Sequence, residues 1–150
     1  MNDGYLSFDD ALAMSVVEEG HLRTTIAPGW DVRGNPHGGY LLALAAKAMA
    51  TVVVQPDPIS ISASYLSPPA QGPADLLVEV LRSGKRQSTA DVRLIQDGGI
   101  LLQATATFGS LPSEAPRLLT NDVAPPASLP PPDACLGRAP KRFSSRLPMF

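Results

Sequence analysis

Four stretches of the chain alternate apolar and polar side chains with a period of two, the spacing of a half-buried β-strand. In residues 59–66, Ile59, Ile61, Ala63 and Tyr65 share one face, while Ser60, Ser62 and Ser64 take the other. In 77–82, Val78 and Val80 oppose Leu77, Glu79 and Leu81. In 89–96, Ala90, Val92, Leu94 and Gln96 form one stripe, and in 101–108 Leu102, Ala104, Ala106 and Phe108 form another. The segments R-S-G-K-R and Q-D-G-G between them carry the glycine-rich chemistry of hairpin turns.

Ahead of the strands the period changes. The sequence G-N-P-H-G-G-Y at 34–40 opens an apolar run over 40–54 that reads as a helix, rich in small residues at Ala43, Ala45, Ala46, Ala48 and Ala50. At about 1.5 Å per residue the run spans roughly 22 Å, short of a bilayer core, and Lys47 interrupts it. A helix apolar almost all round must be covered on more than one side. Antiparallel strands with one apolar face each need the complementary cover. The pattern therefore predicts an α+β domain in which a curved antiparallel sheet wraps one long central helix. So small a sheet leaves one helix flank open, and pairing of two such units is expected. Upstream, Ser7 with Asp10 three residues later predicts a short capped helix, and 15–27 predicts two short strands around Glu19-Gly20.

Composition sets the boundaries. Nine of the 16 prolines fall in 112–150, which reads as a Pro-rich linker or C-terminal arm and leaves 1–111 as the folded domain. A net charge of −2 with no basic stripe argues against nucleic acid or an anionic membrane surface as partner. The lone Cys135 cannot form an internal disulfide, and the polar, acidic start M-N-D-G-Y lacks the pattern of a signal peptide. A soluble cytoplasmic protein is expected.

The segments W-D-V-R-G-N-P-H-G-G-Y at 30–40, D-P-I-S-I-S-A-S-Y-L-S-P-P from 57 and Q-D-G-G-I-L-L-Q-A-T-A-T-F-G from 96 are collinear with a known family. Over about residues 7–111 the chain resembles the acyl-CoA thioesterase II group of hotdog-fold proteins, and specifically the first half of a tandem double hotdog. The resemblance implies the hotdog fold, a place in fatty-acid metabolism, and hydrolysis of an acyl-CoA thioester, RCO–SCoA + H2O → RCOOH + CoASH. No cofactor beyond that substrate is implied. The alternative is a non-catalytic half that binds acyl-CoA or serves as a dimerisation scaffold. A hotdog hydratase, suggested by G-N-P-H, lacks the aspartate of its pattern.

Candidate site residues follow. The opening amides of a helix have no internal partners and carry partial positive charge. The amides of Gly39 and Tyr40, with Gly38 making room for close approach, are thus candidate donors to a thioester oxygen; alternatively the glycines form a tight turn after Pro36. His37 either helps position the thioester or caps the helix. Asn35 orients water or caps. By resemblance Gln96 belongs to a water-activating set, with Ser60 or Ser62 as its hydroxyl partner; otherwise Gln96 bonds the neighbouring hairpin. Arg82, Lys85 and Arg86 are candidate contacts for coenzyme A phosphates, or an ordinary exposed turn. Trp30 and Tyr40 wall an acyl pocket or pack in the core. Where related thioesterases place a helix carboxylate, this chain has Ala46, and the nearest acid, Asp31, reads as a turn residue. The sequence carries no metal-ligand cluster, phosphate loop or nucleophile elbow.

Overall fold

The computed structural model describes residues 6–112. The Pro-rich arm expected from 112 lies, from 113 onward, outside the described residues, as does Cys135. The short first helix, α1 (Phe8–Ala11), is capped as expected: Ser7 Oγ accepts from the Asp10 amide at 3.2 Å and donates to the Asp10 carboxylate at 2.6 Å. The central helix, α2, runs Gly38–Ala50. It stops short of the apolar run that encodes it. Thr51 Oγ1 turns back to the Ala48 carbonyl at 2.7 Å, and the β-branched Val52–Val54 ahead of Pro56 are poor helix formers in a pre-proline context.

Six strands form one antiparallel sheet: β1 (Met14–Glu18), β2 (His21–Ile26), β5 (Asp57–Tyr65), β6 (Gly72–Arg82), β7 (Ser88–Gln96) and β8 (Gly99–Gly109). Their order is β1-β2-β6-β7-β8-β5, so β1 and β5 are the edges. A separate two-strand hairpin, β3 (Asp31–Val32) and β4 (Asn35–Pro36), precedes α2. Its turn residues Arg33 and Gly34 both have positive φ, 56° and 84°, the signature of a type I′ turn. The alternating strands appear where expected, with one extension: β6 begins at Gly72 rather than residue 77. Its first half lies behind Gly72 and Pro73, residues that read as loop; Pro73 is nonetheless paired in register with Thr25.

α2 lies against β5, β6, β7 and β8. Its buried positions, Tyr40, Leu41, Leu44, Ala45, Ala48 and Met49, repeat at helical spacing, and the opposing sheet face presents Ala74, Ala90, Ala104 and Ala106 among Leu76, Val92, Leu94, Leu102 and Phe108. Alanine on both surfaces lets the helix backbone sit close to the strands. The other flank is not closed: Leu42, Ala43 and Ala46 are half-buried, and Lys47 and Ala50 are exposed.

Tyr40 fastens three elements. Its phenol oxygen accepts from the Ala27 amide at 3.0 Å and donates to the Ala11 carbonyl at 3.0 Å, tying the end of β2 and α1 to the first turn of α2. Burial pushes its pKa up, against the opposing effect of the Ala27 bond, so the phenol stays protonated as a donor. Tyr40→Phe keeps the ring and strands a backbone N–H and a carbonyl. The expected loss is about 2–3 kcal/mol of unfolding free energy, read from urea denaturation.

Candidate functional site

The loop 30–37 delivers the mouth of α2. The His37 amide donates to the Trp30 carbonyl at 2.8 Å, closing the loop begun by the β3–β4 hairpin. His37 is the N-cap, with φ −67° and ψ 133°, and its Nδ1 accepts from the Gly39 amide at 3.1 Å. The amide expected to polarise a thioester thus has a side chain of the protein as its partner. Opposite, Tyr65 Oη donates to the Gly38 carbonyl at 2.8 Å. The two glycines make room for these two rings. A Cβ on Gly38 would stand 3.4 Å from the Tyr65 ring, and one on Gly39 would stand 3.2 Å from the His37 ring.

A cleft of about 300 Å³ opens beside the mouth, lined by Pro36, Gly38, Leu41, Tyr65, Leu66 and Ser67. A larger hollow of about 530 Å³, with Val16, Leu22, Val52 and Val78 at its wall, lies at the other end of α2 and touches none of the loop residues. We therefore place the candidate site at the smaller cleft, where Gly38 of the first helical turn and the hydroxyl groups of Tyr65 and Ser67 are. Tyr65 and Leu66 were legible only as strand residues; the signal for their role is the return of β5 past the helix start, which alternation alone does not carry.

Other expected site residues fall elsewhere. Asn35 sits on β4 opposite Val32 with its side chain exposed, and the capping it was a candidate for is performed by His37. Asp31 Oδ1 accepts from the Gly34 amide at 3.2 Å, a turn role. Trp30 packs between Phe8, 5.0 Å away, and Tyr40, stacked at 6.3 Å. Ser60 and Ser62 pair with Thr107 and Thr105 on the sheet face away from α2, while Ile61 and Ala63 pack on the core. They cannot join the mouth of their own chain. The cause is the period of two, which sends neighbouring residues to opposite faces.

Gln96 ends the stripe of Ala90, Val92 and Leu94 and was the candidate for orienting water. Its Oε1 instead accepts from the Ala70 amide at 2.8 Å, and its Nε2 donates to the carbonyls of Ala70 and Pro73 at 3.2 and 3.1 Å. The side chain staples the loop before β6. Arg82, Lys85 and Arg86 belong to the β6–β7 turn, whose Gly84 carbonyl accepts from Gln55 Nε2 at 2.8 Å, just past the C-terminus of α2. The register puts this turn at the Asp57 end of β5 and the mouth at the Tyr65 end. A 13-residue helix, about 20 Å, separates them within one chain.

The residues 26–109, more than half of the chain, match the acyl-CoA thioesterase N-terminal domain family. The chain belongs to that family. Uncharacterised proteins of Mycobacterium tuberculosis and Mycobacterium bovis are 36% identical over 86 residues, 53% of this chain and 30% of theirs. A candidate thioesterase II of Thermobifida fusca superposes with a TM-score of 0.72 at 27% identity, covering 83% of this chain and 45% of that one. A Streptococcus mutans protein solved with acetyl-CoA bound has a TM-score of 0.57 at 22% identity, covering 64% of this chain and 85% of its own. These likenesses establish the hotdog fold. The chain spans less than half the length of the mycobacterial and Thermobifida proteins, as a thioesterase N-terminal domain does within a longer relative.

A titratable cluster lies apart from the helix mouth, on the outer sheet face. His21 Nε2 meets Asp75 Oδ1 at 2.9 Å and Arg23 Nε donates to the same oxygen at 3.0 Å. Hydrogen bonds first from His21 and then from Arg23 hold the Asp75 carboxyl below the usual carboxylate range. A lowered pKa contributes stability above the unfolded-state value that is lost as pH falls through the folded one. Urea midpoints taken from neutral pH down to about pH 3 should therefore fall more steeply for the wild type than for Asp75→Asn.

Proposed function

We propose that this hotdog unit binds acyl-CoA thioesters at the mouth of α2 and that hydrolysis there takes its water-activating group from a second hotdog. The observation that carries the reading is the cleft walled by Gly38, beside a helix-start amide whose acceptor is a side chain rather than backbone. A thioester oxygen takes the place of His37 Nδ1 on the Gly39 amide, with the Tyr40 amide next in line. A fixed donor of this kind is typically worth about 3–4 kcal/mol as negative charge develops on the oxygen. That the Streptococcus mutans relative binds acetyl-CoA supports a coenzyme A thioester as the ligand.

Activation of water is the part that the described residues do not supply at the chain's own mouth. α2 carries no acid, Gln96 is engaged by its loop, and Ser60 and Ser62 face away. A second copy meets the binding part of the requirement. Among the described residues, the flank of α2 away from the sheet and the edge strand β5 have no matching element. Antiparallel pairing of β5 with its counterpart sets the Asp57 end of one copy beside the Tyr65 end of the other. That pairing carries Lys85 and Arg86 toward the neighbour's mouth, where the phosphates of coenzyme A would need cations. The same missing acid also favours a second reading, in which the unit binds acyl-CoA and scaffolds a double hotdog without turnover.

Thiol release from short-, medium- and long-chain acyl-CoAs, with a solution mass, tests both. The expected result is a dimer that releases thiol. Gln96→Ala should lose about 1–2 kcal/mol of stability from its loop yet keep kcat within about threefold. Tight acyl-CoA binding with no thiol release selects the scaffold, and a strict monomer contradicts the pairing.

A further inference from the structure

Two ring side chains grip opposite ends of a single peptide unit. The carbonyl of Gly38 and the N–H of Gly39 belong to one planar group. The carbonyl end accepts from Tyr65 Oη at 2.8 Å, and the N–H end donates to His37 Nδ1 at 3.1 Å. Tyr65 is 52% exposed and lies on the edge strand β5, so burial does not fix its ring. Contact with the bare face of Gly38 and the bond to its carbonyl fix it instead.

We propose that Tyr65 is a positioning residue for the helix mouth, holding the 38–39 peptide plane in place while its N–H exchanges the His37 imidazole for an acyl oxygen. The inference rests on the acyl-CoA reading given above. Its physical content is preorganisation. A donor contributes fully to the transition state only if it does not reorient when charge appears, and a helix-start peptide whose N–H changes partners is then held from its carbonyl end alone. There the helix's own bond from the Leu42 amide is joined by the Tyr65 phenol, which fixes the tilt of the plane from outside the helix. Tyr65 acts through Gly38 and does not itself meet the reacting atoms. Gly38 lines the cleft beside it, and a Cβ there would lie in ordinary van der Waals contact with the phenol ring, at 3.4 Å.

Tyr65→Phe removes one oxygen from a half-exposed ring and leaves the core untouched, which makes it a suitable probe of the full chain. Two readings are taken. In the ligand-free protein, hydrogen–deuterium exchange of the Gly39 amide, followed by NMR, is expected to quicken about fivefold or more, with core amides such as that of Val92 unchanged. In acyl-CoA turnover, kcat is expected to fall about tenfold with KM within about twofold, the split expected for an interaction that matters only as charge develops. Unchanged Gly39 exchange overturns the proposal, and so does an unchanged kcat where exchange has quickened. If the wild type releases no thiol from any acyl-CoA, hydrolysis has failed as a function. The exchange reading then decides the anchoring alone.

Discussion

The close seating of α2 on the sheet governs everything built around it. Ala45 and Ala48 face a floor that includes Ala74, Ala90, Ala104 and Ala106, all of them buried. Short side chains on both surfaces bring backbone near backbone, and packing at interior density then leaves little freedom in the depth or angle of the helix. That constraint reaches the mouth directly. Tyr40 and Leu41 lie in the same buried stripe as Ala45 and Ala48, so the first turn is held as firmly as the middle. The loop amides, the His37 cap and the Tyr65 contact inherit their geometry from it.

The candidate site is consequently made of backbone more than of side chains. Near the cleft, the polar side-chain atoms that matter are the His37 imidazole and the Tyr65 phenol, and each addresses a peptide group of Gly38 or Gly39. The ionic groups are displaced outward. Asp75, His21 and Arg23 occupy the solvent side of the sheet, and Asp91 accepts from Thr105 on that same side at 2.7 Å. A mouth of this type offers dipoles and shape rather than charge.

Much of the fold could be read from the chain because it depends on periods. Alternation locates β5, β7, β8 and the second half of β6. The glycine-rich turns separate them, and Ser7 with Asp10 marks α1. What escaped depends on contacts across sequence. The opening of β6 hides behind Gly72 and Pro73, since turn-forming composition outweighs the ladder bonds that tertiary pairing supplies. The end of α2 lies inside an unbroken apolar run, where Thr51 and the valines decide by conformational preference rather than by hydropathy. At the site the distinction is sharper. The glycines, His37 and the helix start were legible as a mouth. Whether Gln96 faces the helix or a loop depends on where the 66–72 segment travels, whereas the outward face of Ser60 and Ser62 was already present in the alternation of 59–66. Asn35 lost the capping role to a residue two positions on because the Arg33-Gly34 turn commits it to β4.

The bond from Gln55 to the Gly84 carbonyl stiffens the hairpin at the far end of the helix. Gln55 is almost fully enclosed, and its amide leashes the tip of the β6–β7 hairpin to the segment leaving α2. Lys85 and Arg86 are long, mobile cations, but the arch that carries them is tethered. An anion arriving there meets charges on a stiff mount, so less entropy is surrendered on capture than a swinging loop would demand.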